Sequence, residues 1–163
     1  MDKRFEEIES MIYDDGYSDG ELFEKIISYG ATKVVERDFG EEYQFFSVET
    51  TLFDCAIMDG RYELALRLAK APEVDRSVLV NGVSMLSEMQ NIDSQSMEEM
   101  ELESKWKLEI ARALLETDVS PDSYKEEELS DFFRELSGKS EEAFAFEKAH
   151  KKKLRAIVAE FRK

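Results

Sequence analysis

The feature that most constrains this chain is that it repeats itself. Thr51, Leu52 and Phe53 are followed 33 residues later by Ser84, Met85 and Leu86, matched in type at each position. Glu63, Leu64, Ala65 and Leu68 recur as Glu109, Ile110, Ala111 and Leu114 at an offset of 46, and Leu22, Phe23, Ile26 and Ile27 precede Leu64, Ala65, Leu68 and Ala69 by 42. Those offsets are 33 enlarged by insertions of 13 and 9 residues. A fixed period of this length marks a supersecondary unit stacked on copies of itself, because one unit alone cannot bury its apolar face. Apolar residues three and four apart within each copy make the unit a pair of helices. Two prolines and seven glycines among 163 residues leave too few turn formers for a many-stranded sandwich or barrel, so an all-α chain is expected.

The string TLFDCAIMDGRYELALRLA, Thr51 to Ala69, resembles an ankyrin repeat, whose pattern runs T-P-L-H-x-A-A-x-x-G-H before an apolar second helix. Thr51 stands at the Thr position, Phe53 at the Leu, Ala56 at the first Ala and Gly60 at the turn Gly, with Leu64, Ala65 and Leu68 on the second helix. Leu52, Asp54 and Ile57 replace the family's Pro, His and second Ala. The copy from Ser84 to Ser120 keeps Ser84, Leu86 and the second helix and loses the turn Gly to its insertion. Gly30 and Ala31 echo the family's repeat ending. The resemblance implies a single domain over 1–163: a helical pair plus insertion over 1–50, two ankyrin-like units over 51–120, and a helical cap over 121–163. Small residues such as Ala56 and Ala65 let the paired helices approach, Thr51 or Ser84 can cap the first helix, and the stack needs polar-faced ends.

Around that repeat, Lys3–Tyr13 carries Phe5, Ile8, Met11 and Ile12 at helical spacing, and Glu21–Tyr29 forms its partner, closed by Gly30 as an αL C-cap. The first insertion, Thr32–Thr50, reads as a short β-hairpin or an ordered extended loop. The second, Asn91–Glu103, has a Ser96/Glu99 capping box and extends a helix by about two turns. That extension displays Glu98, Glu99, Glu101 and Glu103 as an acidic edge beside Met97 and Met100, with Trp106 near its base; the alternative is a solvated face over a stripe folded on its own core. Ser123 with Glu126 predicts a capped helix through Leu129, Phe132, Phe133 and Leu136, ended by Gly138. A last helix spans Glu141–Phe161.

The net charge is −16, and its distribution decides which partners are compatible. Lys148–Lys163 holds seven Lys/Arg against one Glu, so Met1–Glu147 carries −22. A body this acidic repels phosphate backbones and anionic lipid; the longest stretch without a charge, Ser77–Ser87, has 11 residues, short of a membrane span. Neither direct nucleic-acid binding nor membrane insertion is expected. The basic tail is read as complementing the dipole of a helix that begins with Glu141 and Glu142, rather than as a nucleic-acid patch. One cysteine and one histidine cannot build a disulfide or a Cys/His zinc site, which points to a reducing cytoplasmic setting without metal or cofactor.

Strings that imitate chemistry break down at single positions. Gly138-Lys139-Ser140 has the tail of a phosphate-binding loop, but Phe133 stands where the motif needs glycine. Asp15, Tyr17, Asp19 and Gly20 start like a calcium loop, yet Ile26 occupies the final ligand position. Cys55 is expected as a core thiol, and His150, flanked by Lys148 and Lys151, as a solvated histidine. No catalytic residues emerge. The expectation is a non-enzymatic protein-binding module, an acidic inhibitor, immunity-type or adaptor protein holding a basic protein partner. Its candidate contacts are Tyr43, Phe45 and Phe46 in the first insertion and Glu98, Glu99, Glu101 and Trp106 in the second, while Phe45 and Phe46 have core cover as their other reading. The alternatives are a nucleic-acid mimic that inhibits a DNA- or RNA-processing enzyme, and a structural subunit of a larger assembly.

Overall fold

Asp2 sets the start of the first helix, α1 (Lys3–Ile12): its carboxylate accepts the orphan N–H groups of Arg4 and Phe5. The computed structural model describes residues 2–39 and 46–162. Within them the chain is mainly helical, with two small two-stranded antiparallel sheets. It divides into two compact units, Met1–Met85 and Leu86–Lys163.

In the first unit α1 is followed by α2 (Asp19–Tyr29), capped by Ser18, and Gly30 leaves the helix at φ 121°, ψ 102°. That is a positive φ outside the αL region expected of it, still costly for any side chain. The first insertion forms the hairpin β1 (Val35–Phe39) and β2 (Phe46–Thr50), with Val35 opposite Thr50 and Phe39 opposite Phe46. Thr51 then caps α3 (Leu52–Met58) in a reciprocal box with Asp54. Gly60 reverses the chain at φ 78° into α4 (Tyr62–Lys70), which buries Leu64, Ala65, Leu68 and Ala69. α1 packs on α2 and α3, and α4 on α3 and α2. Arg61 ties these ends together: its guanidinium donates to the carbonyls of Ile12 (2.7 Å), Asp14 (2.9 Å) and Tyr17 (3.2 Å) and to Asp19. A second hairpin, β3 (Leu79–Val80) with β4 (Val83–Ser84), turns through Asn81 and Gly82, both at positive φ.

The second unit is built on two long helices packed together, α6 (Met97–Thr117) and α8 (Glu141–Phe161). The short α5 (Met85–Glu88) precedes them at the unit boundary. α8 has the span that the sequence predicts, and α6 gains the expected two turns with Ser96 accepting from the Glu99 N–H. The predicted Ser123/Glu126 box does not form. Pro121–Ser123 is a single 3-10 turn, and of the predicted helix from Ser123 to Gly138 only α7 (Asp131–Ser137) is helical. The reason is competition for backbone partners: Lys125 N–H donates to Ser87 Oγ and Glu127 N–H to Gln90 Oε1, while Gln90 and Lys151 donate to the carbonyls of Lys125 and Glu127. The Glu126 carboxylate goes to Arg155 (2.7 and 3.0 Å) instead of a cap. With the backbone of Lys125 and Glu127 satisfied by side chains, the segment is held in a non-helical path there. Phe132 and Leu136, one turn apart on α7, stand 70% and 71% exposed.

Candidate functional site

The acidic extension of α6 is where sequence and structure meet. Ser96 starts the helix, Glu98 and Glu99 in its first turn complement the positive end of its dipole, and the 3.6 period sorts the rest. Met100, Glu103, Ser104, Lys107, Ala111 and Leu114 fall on the buried stripe. Glu98, Glu101, Leu102 and Lys105 fall on the opposite one and are exposed, Leu102 at 51%. Glu99 is exposed beside them; Trp106 is half-buried, with Lys105 Nζ 5.6 Å from its ring centroid. Three expected carboxylates thus share one helical surface with an exposed leucine. Tyr43 and Phe45 lie outside the described residues, and Phe46 is placed only as the first residue of β2.

Glu103 departs from the expectation. It is 3% exposed, accepting from the N–H groups of Asp93 (3.0 and 3.1 Å) and Ser94 (2.9 Å), from Ser94 Oγ (2.6 Å) and from Lys107 Nζ (2.6 Å). Burial alone would push its carboxyl up, but the Lys107 ammonium and these donors hold it below the ordinary range. Lys107 also donates to the Asn91 carbonyl (2.6 Å). Glu147, from α8, accepts from Ile92 N–H (2.8 Å) and Lys139 (2.7 Å), and Lys139 reaches the Ile92 carbonyl (3.0 Å). The insertion loop is therefore held by one buried ion pair, Glu103–Lys107, and one half-buried pair, Glu147–Lys139.

His150 is the second correction. It is 1% exposed, with Nδ1 2.7 Å from Ser104 Oγ and Nε2 2.7 Å from the Met89 carbonyl oxygen. Facing a carbonyl, Nε2 must carry the hydrogen, so neutral Nδ1 accepts from the serine hydroxyl. Burial, reinforced by Lys107, holds its pKa below the usual value against the opposing pull of the Met89 carbonyl, Glu103 and Glu147. A Ser–His contact invites comparison with hydrolases, but here the far ring nitrogen meets a backbone carbonyl instead of a carboxylate, and both side chains are enclosed. Lys151, one of the basic residues of the tail, is likewise buried, donating to Gln90 Oε1 (3.1 Å) and the Glu127 carbonyl (2.8 Å). The tail helix serves the interior as much as the surface. An open groove of about 370 Å³ runs between 126–130 and Lys148, Lys151, Lys152 and Arg155.

Cys55 is a buried free thiol, its Sγ 3.4 Å from Glu9, a carboxylate that also pairs with Arg37. Burial raises its pKa, the opposite of a nucleophile's need. No group of His, Cys, Asp and Glu among the described residues is arranged to hold a metal ion, and no helix among them is long and apolar enough to cross a membrane. Family models, curated proteins and solved structures return no match to this chain.

Proposed function

We propose that this chain is a non-enzymatic protein-binding module, an acidic inhibitor, immunity-type or adaptor protein of the cytoplasm that holds a basic protein partner. The observation that carries the reading is the division of labour on α6: Glu103 is turned inward to hold the loop, while Glu98, Glu99 and Glu101 are left exposed around Leu102. Carboxylates rimming an apolar anchor suit a Lys/Arg-rich surface, where they steer association and orient the complex. The ankyrin-like repeat reading supports it. Two helical pairs in Met1–Met85 pack first on first and second on second, with a capping threonine and a turn glycine where that family has them. Affinity capture from the native cell, comparing wild type with the triple variant Glu98→Lys, Glu99→Lys, Glu101→Lys, tests the site. A basic protein retained by wild type and lost by the variant is the expected result; equal retention overturns the acidic edge. If the retained protein is a DNA- or RNA-processing enzyme, the edge acts as a nucleic-acid mimic.

Exposed Phe132 and Leu136 favour a second reading, a subunit whose carboxyl-terminal helices pair with another chain. Light scattering decides: a dimer that Phe132→Ser with Leu136→Ser dissociates supports it, and a monomer for the wild-type chain excludes self-assembly through this face.

A further inference from the structure

We propose that the buried contacts of His150 form an acid-sensitive latch that regulates the acidic edge of α6, an inference that rests on reading that edge as the binding surface. The imidazole joins three pieces of chain at one point: α8, which carries it; α6 through Ser104; and the start of the loop 89–96 through the Met89 carbonyl. Ser104 directly follows Glu103, whose carboxylate holds the Asp93 and Ser94 amides, and the turns carrying Glu98, Glu99 and Glu101 lie immediately before it. The junction that seats the loop therefore also seats the edge.

The neutral ring is fully partnered, with one nitrogen donating and the other accepting. A second proton makes both nitrogens donors, so the Ser104 hydroxyl must reverse and find a new acceptor inside a core where His150 is 1% exposed. The groups facing the ring compensate only in part: Glu103 and Glu147 favour the charged ring, and burial and Lys107 outweigh them. Lys107 and Glu103 come from α6, Glu147 and Lys151 from α8 itself, Lys139 from the segment before α8 and Asp93 from the loop. Glu103 is already matched by Lys107 at 2.6 Å and Glu147 by Lys139 at 2.7 Å, so no free carboxylate awaits an imidazolium. Protonation adds a buried charge that is matched only in part, and exposing the ring is the way to relieve it.

The direction follows by linkage. Burial holds the folded-state pKa of His150 below its ordinary 6.5, so the latch has its full strength above about pH 6.5 and loses it as pH falls through the folded value. Opening frees the loop, Glu103 loses its ligands, and the first two turns of α6 fray with the three exposed carboxylates on them. A partner held at neutral pH is then released in mild acid, before Glu103, held below 4.5, is protonated.

Hydrogen exchange and proton NMR on the unliganded full chain test the latch without any partner, so its failure is separable from failure of the binding reading. His150 is the chain's only histidine, and its ring signals are identified without assignment. The ring should titrate below 6.5. Between pH 7 and 5, protection factors of the Ile92, Asp93 and Ser94 amides and of Met97–Glu103 should fall with a limit of about tenfold per pH unit, the slope for one proton. His150→Gln, which keeps a donor for Met89 and an acceptor for Ser104, should flatten that fall. A ring titrating at or above 6.5, pH-independent protection in the wild type, or an unchanged slope in the Gln variant would each overturn the latch. If the variant does not fold, the wild-type titration and protection profile still decide.

Discussion

The two units of this chain solve the burial problem by different chemistry. Met1–Met85 buries Phe5, Ile8, Ile12, Leu22, Ile26, Leu52, Phe53, Leu64 and Leu68, and among its described residues the buried polar ones are Thr32, Thr51 and Arg76. Leu86–Lys163 buries Leu86, Met89, Ile92, Ile110, Leu114 and Leu154, and with them Ser87, Gln90, Glu103, Ser104, Lys107, Glu147, His150 and Lys151. The first unit stacks short helices whose apolar faces match. The second must seat an eight-residue loop, 89–96, and an extended strap, 124–130, between its helices, and the backbone of both needs partners that apolar residues cannot provide. Polar burial in the second unit is thus a consequence of irregular chain in its interior. It makes that unit specific and sensitive to charge, whereas the first is set mainly by apolar area.

The largest expected effect breaks the contrast at its centre. Lys107→Met leaves Glu103 buried without its cation, and should cost about 3–5 kcal/mol, while Glu103→Leu combined with Lys107→Met should recover much of that loss. Chemical denaturation read by Trp106 fluorescence measures both. If the single change is mild, the ion pair is not what seats the loop. Next come the apolar anchors: Leu68→Ala in the first unit and Leu114→Ala in the second, both fully buried, should each cost about 2–5 kcal/mol. Hydrogen exchange should place each loss within its own unit; a negligible cost at Leu114 would mean that the polar network alone carries the second unit.

This contrast also explains which parts were legible in the sequence. Helical period, a capping threonine and a turn glycine are local signals, and they located α1, α2, α3, α4, the extension of α6 and the whole of α8. The Asn81-Gly82 turn between Val80 and Val83 is a local hairpin signal as well, and reading it would have found β3 and β4. His150 and Glu103 were misplaced because their burial depends on a loop carbonyl and loop amides, that of Met89 and those of Asp93 and Ser94, which no helical spacing encodes. Arg61 was missed for the same reason: its carbonyl partners lie at the end of α1 and on the turn that leads to α2, more than forty residues away. The Ser123/Glu126 box failed because a correct local signal lost to Ser87, Gln90, Lys151 and Arg155. Of the candidate contacts, the exposed carboxylates were legible because a helical period separates the faces of α6.

The smallest expected effect on stability is at the proposed binding edge. Reversing Glu98, Glu99 and Glu101 to Lys changes six units of charge without touching the buried stripe of Met100, Glu103 and Ser104. The cost left is the helix dipole, which favours the acidic residues of the first turn, about 0.3–1 kcal/mol each at low salt and less once screened. Association with a basic partner should respond in the opposite proportion. Raising salt from about 0.05 to 0.5 M shortens the Debye length from roughly 14 to 4 Å and should slow the wild-type on-rate steeply, with dissociation changing less. The reversed variant should bind slowly at low salt and show little further dependence. Because stability barely moves, slow binding cannot be blamed on unfolding. Salt-independent association, or an unaffected variant, would remove the acidic edge as the site while leaving the polar core of the second unit intact.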